Sequence, residues 1–270
     1  MTGLINASNY YLEFIKRYNA KGTINFTNQH TKNLLSFFGD IDLEKIKSNN
    51  VYEYIDYLKS KGNSNNTINK KIALLKRIMK HNEITQNDIF KIKKLKETFI
   101  TYGILDENID INLIIKNCTL KQKIIICLLK DTGIRVNELL NIETKNCDLI
   151  NRTIFLEKTK TNKTRYVYFT NETKSYLEKY LKNIKSKLLL QNTTISAIEC
   201  WMKRLRIKYN LKNLSPHRFR HSFSTNLYNN GCDILYISHI LGHSSVETTK
   251  RYIHTNTKQE LSIYDKYMPK

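Results

Sequence analysis

The sequence is poor in the two residue types that most often interrupt helices. It has 2 prolines and 8 glycines among 270 residues, and both are unfavourable in helix interiors. This shortage predicts a largely helical protein. Acidic side chains are also scarce, because 24 Asp and Glu face 45 Lys and Arg and leave a formal net charge of +21. Such an excess predicts a polyanionic partner, nucleic acid before a membrane surface, although a basic protein from an AT-biased coding sequence would have the same composition.

Several other features are missing from the sequence. The 5 cysteines form no CxxC pair and no Cys/His spacing of a metal site, and an odd number of scattered cysteines is typical of reduced thiols in a cytoplasm. The N-terminus has no signal-peptide pattern, and the most apolar window, Ile124–Leu129, is too short to cross a bilayer. No P-loop occurs. We therefore expect a cytoplasmic protein with no membrane partner and no metal.

Residues 1–85 predict an N-terminal helical domain. Apolar periodicity indicates four helices, at Asn6–Tyr18, Thr27–Phe38, Leu43–Leu58 and Thr67–Met79, with Gly22 ending the region of the first. The fourth helix has one apolar face and a basic remainder. Such a basic face is usually only solvated, but the net charge favours DNA contact by its cations, Lys70, Lys71, Lys76, Arg77 and Lys80. The lysine-rich stretch 86–104 has poor periodicity and is predicted to be a linker.

Residues 105–270 predict a second domain that contains a small β element. Thr119 is expected to cap a helix that ends at Gly133. Thr153–Leu156 and Arg165–Phe169 are β-branched and aromatic runs separated by KTKTNKT, which predicts a hairpin. Further helices are predicted at about 171–189 and 194–209, from Ser215-Pro216 to Gly231, and from Asp233 to Gly242. The predicted fold class is mainly α with a small β-hairpin or three-stranded sheet.

Three short motifs in this second domain carry charged side chains at fixed spacings. TGIRVNE places Arg135 and Glu138 three residues apart on a helix, and HRFR places His217 and Arg220 in the first turn of another, where the helix N-terminus attracts anions. LGH places His243 directly after a helix-ending glycine. Taken singly, a surface salt bridge and an exposed histidine explain the first and third motifs. Two cations at a helix N-terminus point to a bound phosphate.

Together with VETTKRYIH, which contains Tyr252, these motifs resemble the tyrosine recombinase (lambda-integrase-like) family, in particular its Xer-type and phage or plasmid integrase members. The matching text is TGIRVNELL (132–140), HRFRHSFSTNLYNNG (217–231) and ILGHSSVETTKRYIH (240–254). The order and the gaps agree as well. The resemblance covers about 105–254. It implies an N-terminal core-binding (SAM-like) domain and a tyrosine recombinase catalytic domain, which together form a DNA clamp, with a C-terminal tail from about residue 253 to 270.

The resemblance also implies which residues act on the phosphodiester. Arg135 and Arg220 would grip its non-bridging oxygens and stabilise the charge of the transition state. His217 and His243 would hydrogen-bond the same phosphate, and His217 would help to deprotonate the nucleophile. Tyr252 would attack the phosphorus and form a 3′-phosphotyrosine bond.

Two supporting roles follow from the same resemblance. Glu138 would orient Arg135. The hairpin lysine of the family, which donates a proton to the leaving 5′-oxygen, aligns best on Lys160, with Lys158 and Lys163 as neighbouring alternatives. No metal and no nucleotide cofactor is expected, because the arginines take the place of divalent ions and the phosphotyrosine conserves the energy of the broken bond.

The resulting hypothesis is a site-specific DNA recombinase without cofactors. It would bind double-stranded DNA at an inverted-repeat site, as a dimer per site and a tetramer in the synapse, and exchange strands through a Holliday junction. The purpose would be integration or excision of a mobile element, or resolution of chromosome or plasmid dimers. Two alternatives are a type IB topoisomerase and a non-catalytic DNA-binding accessory factor. The spacing H-x-x-R, L-G-H, Y argues against the first, and the complete set of expected catalytic residues argues against the second.

Overall fold

The computed structural model divides into two compact units, Met1–Ile100 and Thr101–Lys270. It describes residues 3–19, 21–96, 105, 111–157 and 164–242. Within these ranges the protein is mostly helical and has one small sheet, which confirms the predicted fold class. No helix in the described ranges has the length and apolar character needed to span a membrane.

The first unit is built from four α-helices in its described part. They are α1 (Leu4–Tyr18), α2 (Lys21–Phe38), α3 (Ser48–Ser60) and α4 (Asn65–His81). Gly22 was expected to end a helical region but lies inside α2, since one glycine costs a helix only about 1 kcal/mol relative to alanine. The predicted helix Leu43–Leu58 is divided, because a short 3-10 helix at Leu43–Lys45 is followed by extended backbone at Lys47.

The core of the first unit extends beyond residue 85. Apolar side chains from α1 to α4 are buried together, and Ile89 and Ile92 are buried in the same cluster. Asn87 and Asp88 fasten this segment to the start of α3, because Asn87 donates to the Ile46 carbonyl (3.0 Å) and Asp88 accepts from the Ser48 hydroxyl (2.6 Å). The first residues of the stretch predicted as a linker therefore pack on the helices. The limits of the linker stay a prediction.

The second unit surrounds its most apolar helix with the other elements. The described helices are α5 (Ile111–Lys116), α6 (Leu120–Thr132), α7 (Val136–Leu140), α8 (Asn171–Leu181), α9 (Ile195–Lys208), α10 (Pro216–Asn229) and α11 (Ile234–Leu241). The run Ile124–Leu129 in α6 is buried on all sides. Thr119 caps this helix as predicted, since its hydroxyl accepts from the Gln122 N–H. The apolar run thus belongs to the hydrophobic core of the second unit.

A three-stranded antiparallel sheet packs beside this core. Its strands are β1 (Cys147–Asp148), β2 (Thr153–Leu156) and β3 (Arg165–Tyr168), in that order. Ile154 pairs with Val167, and Leu156 pairs with Arg165. Alternate residues of β3 are buried, which places Arg165 on the same inward face as Val167.

Two helix limits in the second unit have clear physical causes. The helix predicted to run to about residue 189 ends at Leu181, because the following chain pairs with residues 142–144: Leu189 N–H donates to the Ile142 carbonyl (2.8 Å) and Thr144 N–H donates to the Lys187 carbonyl (2.9 Å). Ser215 caps α10 through the Arg218 N–H, with proline in its first turn, as the sequence predicts.

We predict that Gly133→Ala destabilises the second unit for two separable reasons. Gly133 has φ +59°, which costs an alanine roughly 1 kcal/mol, and a Cβ there would overlap Phe223 Cδ1. The overlap should add a further ~1–3 kcal/mol. Denaturant unfolding followed by Trp201, the single tryptophan, measures the loss. In a Phe223→Ala background the penalty should fall toward the backbone cost, because only the contact to Leu241 Cδ2 at 3.0 Å then remains. An equal penalty in both backgrounds would contradict the steric explanation.

Candidate active site

Two left-handed glycine turns form the framework of the site. Gly133 ends α6 with φ +59° and Gly242 ends α11 with φ +63°. The last carbonyl groups of a helix have no partner within it and lie at the negative end of the helix dipole. The turns therefore bring unsatisfied acceptors at the two helix ends within reach of cationic side chains.

Arg220 connects both of these helix ends. Arg220 lies just after the first turn of α10 and is buried, with 3% of the residue exposed. Nη1 donates to the Gly133 carbonyl and Nη2 to the Leu241 carbonyl, each at 2.7 Å. The HRFR motif by itself indicated that a bound phosphate explains a cation at this position. The structure adds a second explanation, because two backbone carbonyls accept from Arg220. Its guanidinium donates to the C-terminal ends of two helices, where positive charge is stabilised.

Arg135 also approaches the Leu241 carbonyl. It is the residue that precedes α7, not a residue within the helix as predicted. Its Nη1 lies 3.5 Å from the Leu241 carbonyl oxygen, at the long limit of a hydrogen bond, and 3.2 Å from Glu138 Oε1. About a third of its side chain stays exposed (31%). The structure thus brings Arg135 and Arg220 together at Leu241, with one guanidinium buried and the other open to solvent.

Glu138 is held by two arginines. Its Oε2 accepts the Arg135 backbone N–H at 2.8 Å, and its carboxylate also contacts the Arg135 side chain. Arg165 makes a two-point contact to it, with Nη1–Oε1 at 3.1 Å and Nη2–Oε2 at 2.9 Å. Burial opposes ionisation of this carboxyl, but the hydrogen bonds from Arg165 and Arg135, together with their charges, hold the pKa of Glu138 below its usual range.

The sequence interpretation placed Arg165 only as the first residue of a strand and missed its position in this cluster. The strand pattern contains a signal, because Arg165 shares the period-two face of Val167 and Phe169, and both of these are buried. A charged residue on the buried face of a strand needs a partner of opposite charge. The pattern indicates that such a partner exists, but it does not identify Glu138.

His217 lies beside the arginine cluster in the first turn of α10. The residue is exposed to solvent. Partial desolvation by the neighbouring protein, followed by the positive charges of Arg220, Arg218 and Arg135, lowers the pKa of His217 from the usual histidine value. A lowered pKa leaves the imidazole neutral at pH 7, so that one ring nitrogen is a hydrogen-bond acceptor.

The remaining predicted site residues lie outside the described part of the chain. These are Lys160, with its alternatives Lys158 and Lys163, and also His243 and Tyr252. Their assignments stay predictions.

The basic helix α4 divides into two groups of cations. Lys71 is 5% exposed and donates to Asn63 Oδ1 (3.1 Å), and Lys76 donates to the Ile92 carbonyl (2.9 Å) and the Phe90 carbonyl (3.4 Å). These two lysines bind within the unit, which does not fit the DNA contact predicted for them. Lys70, Arg77 and Lys80 are exposed and keep that prediction.

We predict that Arg218→Gln raises the pKa of His217. The Arg218 charge is one of the causes that oppose protonation of this imidazole, so its removal should move the titration midpoint to higher pH. The midpoint can be followed by NMR of the ring protons. Lys203→Gln removes an exposed cation of α9 that is not among these causes, and it should leave the midpoint in place. A midpoint that is unchanged or lower in Arg218→Gln would contradict the charge effect.

Comparison with known families divides the sequence at nearly the same place as the structure. The profile of the phage integrase family matches residues 105–259, and the profile of the phage integrase SAM-like domain matches residues 4–99. A probable integrase/recombinase of Acholeplasma phage L2 is 32% identical over 253 residues, which cover 88% of this chain and 88% of the relative. Tyrosine recombinase XerC of Staphylococcus carnosus is 27% identical, and the matched region covers 96% of this chain and 95% of the relative.

Solved structures show the same fold. The Tn1549 transposon integrase in complex with a circular intermediate DNA has a TM-score of 0.82 and 21% identity, covering 99% of this chain and 100% of that one. A lambda integrase dimer bound to a COC′ core site has a TM-score of 0.76 and 15% identity, covering 91% of this chain and 97% of that one. Since the phage integrase match spans more than half of the chain and the phage L2 relative is similar along most of its length, this chain belongs to the phage integrase family and is a tyrosine-type site-specific DNA recombinase.

Proposed function

We propose that this chain cleaves and rejoins DNA through a 3′-phosphotyrosine intermediate, with the arginine cluster as the site that holds the scissile phosphate. The observation that carries this proposal is the meeting of Arg135 and Arg220 at the Leu241 carbonyl. That carbonyl lies two residues before His243. Two guanidiniums at one point supply the positive charge and the donors that a pentacoordinate phosphorane needs.

The two arginines divide this work. Arg220 is fixed by its bonds to the Gly133 and Leu241 carbonyls, which define where its charge lies. Among the described residues, the Arg135 side chain bonds to the protein through Nη1 alone, and the side chain is partly exposed. Arg135 is therefore the member suited to donate directly to a non-bridging oxygen. A preorganised pair of this kind needs little rearrangement when the transition state forms.

Tyr252 is the proposed nucleophile. Its phenolic oxygen attacks the phosphorus and forms a new P–O bond, while the bond from phosphorus to the 5′-oxygen breaks. The phosphate keeps its bond to the 3′-oxygen and thereby links the tyrosine to the 3′ end of the cut strand. Ionising a free tyrosine at pH 7 costs roughly 4 kcal/mol, so an acceptor for its proton helps. His217, with its lowered pKa, is proposed to take that proton.

The leaving 5′-oxygen needs a proton as it departs. Lys160 is the proposed donor, with Lys158 and Lys163 as the alternatives nearby in the sequence. Religation is the reverse reaction, in which a 5′-hydroxyl attacks the phosphotyrosine and returns the proton. One P–O ester replaces another in each direction, so the scheme conserves the bond energy and needs no nucleotide.

The partner follows from the family. Structural relatives have been solved with circular intermediate DNA and as a dimer on a core site, and the high net charge of this chain suits DNA. We propose a clamp of the two units on an inverted-repeat site, a dimer per site and a tetramer in the synapse, acting in the cytoplasm. The exposed cations of α4, Lys70, Arg77 and Lys80, would contact phosphates. Relatives named as integrases and Xer recombinases favour recombination over supercoil relaxation or a non-catalytic role.

Tyr252→Phe should abolish the covalent intermediate. The phenol oxygen is the atom that forms the new bond, and phenylalanine lacks only that atom. In a suicide substrate with a nick near the cleavage point, the short fragment that carries the new 5′-hydroxyl diffuses away and cannot religate. The wild-type adduct therefore accumulates and can be quantified on a denaturing gel. DNA binding by the variant, measured by gel shift, should be unchanged. An adduct that persists in Tyr252→Phe would place the nucleophile elsewhere.

Lys160→Ala should slow cleavage only when the leaving group needs a proton. On an ordinary phosphodiester we expect a loss of about 10²–10⁴-fold, typical of a removed general acid. On a substrate with sulfur in place of the bridging 5′-oxygen, the thiolate leaves without protonation, and the variant should approach the wild-type rate. Lys158→Ala and Lys163→Ala are the matched controls. Rescue of one of them instead of Lys160→Ala would move the assignment to that lysine.

A further inference from the structure

Arg165 is the buried centre of the polar cluster, and it has no role in the scheme above. It is 4% exposed and connects three distant parts of the second unit. Its Nε donates to the Ile240 carbonyl at 2.6 Å, at the end of α11, and its two terminal nitrogens bind Glu138 in α7. Arg165 itself is the first residue of β3, the return strand of the hairpin. One side chain therefore fixes the hairpin, the Arg135 turn and the Gly242 turn to one another.

Stability alone does not account for this arrangement. Burying an Arg–Glu pair has a large desolvation cost, and well-packed apolar residues of similar volume are often equally or more stabilising. The geometry has a different consequence. Glu138 has two carboxylate oxygens, and Arg165 binds both of them, so the carboxylate cannot rotate while it also accepts from Arg135.

The charges in the cluster also require Arg165. Two guanidiniums, from Arg135 and Arg165, pair with a single carboxylate, Glu138, and a third, from Arg220, shares the Leu241 carbonyl with Arg135. With Arg165 removed, Glu138 would have only Arg135 as an ionic partner among the described residues. The carboxylate would then draw the Arg135 guanidinium toward itself and away from a bound phosphate.

The turn after α11 is packed directly on the same guanidinium. A Cβ at Gly242 would lie 2.8 Å from Arg165 Nη1 and 3.0 Å from Cζ. The adjacent Leu241 carbonyl is the one that Arg135 and Arg220 share. Arg165 therefore contacts the residues on either side of Leu241, at the Ile240 carbonyl and at Gly242. It also binds the Glu138 carboxylate, which directs Arg135.

We propose that Arg165 is a positioning residue of the cleavage site, which locks Glu138 and the Gly242 turn and thereby directs the Arg135 guanidinium at the scissile phosphate. This inference rests on the function proposed above. Arg165 itself has no direct contact with DNA in this proposal, since its guanidinium is enclosed by Glu138 and the end of α11.

The test measures single-turnover adduct formation by the full-length protein on the nicked suicide substrate, at saturating DNA. Arg165→Met keeps an unbranched apolar stem and removes the fork, and it should slow adduct formation by ~10²-fold, the cost of a misplaced reacting group, with DNA affinity unchanged. Arg165→Lys should lose less, because an ammonium keeps the charge opposite Glu138 but cannot bind both oxygens. Arg206→Met removes an exposed arginine of the same unit and should leave the rate unchanged.

Two further measurements separate positioning from a merely structural role. A methylphosphonate substrate has a neutral methyl group in place of one charged non-bridging oxygen, so its cleavage depends less on charge stabilisation by Arg135. The defect of Arg165→Met should therefore be much smaller on this substrate. In a double-mutant cycle with Glu138→Gln, the combined loss should be no greater than the larger single loss, because both changes break the same chain of contacts.

Several outcomes would overturn the inference. A folded Arg165→Met that cleaves at the wild-type rate does so, as does an equal defect on both substrates or an additive loss with Glu138→Gln. Folding is checked by Trp201 fluorescence at the assay temperature, and if Arg165→Met does not fold, Arg165→Lys is judged by the same readouts. A wild-type protein that forms no adduct at all overturns the proposed function itself, which is a distinct result from wild-type cleavage that Arg165→Met does not impair.

Discussion

The arrangement of the catalytic unit depends on one backbone carbonyl, that of Leu241. It lies at the C-terminal end of α11 and has no acceptor role within the helix, and it receives Arg220 Nη2 at 2.7 Å and approaches Arg135 Nη1 at 3.5 Å. Two like charges repel at such proximity. The negative ends of α6 and α11 and the Glu138 carboxylate offset that repulsion. The cluster keeps an excess of positive charge, which suits it to a phosphodiester.

Both glycine turns, at Gly133 and Gly242, are needed to place the carbonyls that accept from Arg220. Gly133 and Gly242 both adopt left-handed backbone, which ends the helices abruptly and leaves the final carbonyls accessible. At both positions a side chain would also meet a neighbour, Phe223 at the first and Arg165 at the second. The glycines in TGIR and LGH therefore combine a backbone conformation with a close approach, and each of the two requirements excludes a larger residue.

The first unit shows how a basic composition can mislead at the level of single residues. The net charge correctly indicates a DNA-acting protein, yet Lys71 and Lys76 in α4 donate to Asn63 and to the Phe90 and Ile92 carbonyls. These carbonyls belong to the stretch after residue 85 that the sequence assigned to a linker. The sequence pattern of a helix does not distinguish a lysine that is exposed to solvent from one that binds backbone carbonyls of a later segment of the chain.

Local signals in the sequence determined much of this protein. The caps at Thr119, Ser215 and Asp233, the stops at Gly133 and Gly242 and the hairpin strands were all readable, because each depends on side chains within a few residues. The family resemblance likewise came from local spacings. The tertiary structure alone decided where the buried charges go. Arg220 reaches carbonyls 87 and 21 residues away, and Arg165 reaches Glu138 across 27 residues. Partners at such separations are chosen by the packing of α6, α11 and β3, which no local pattern specifies.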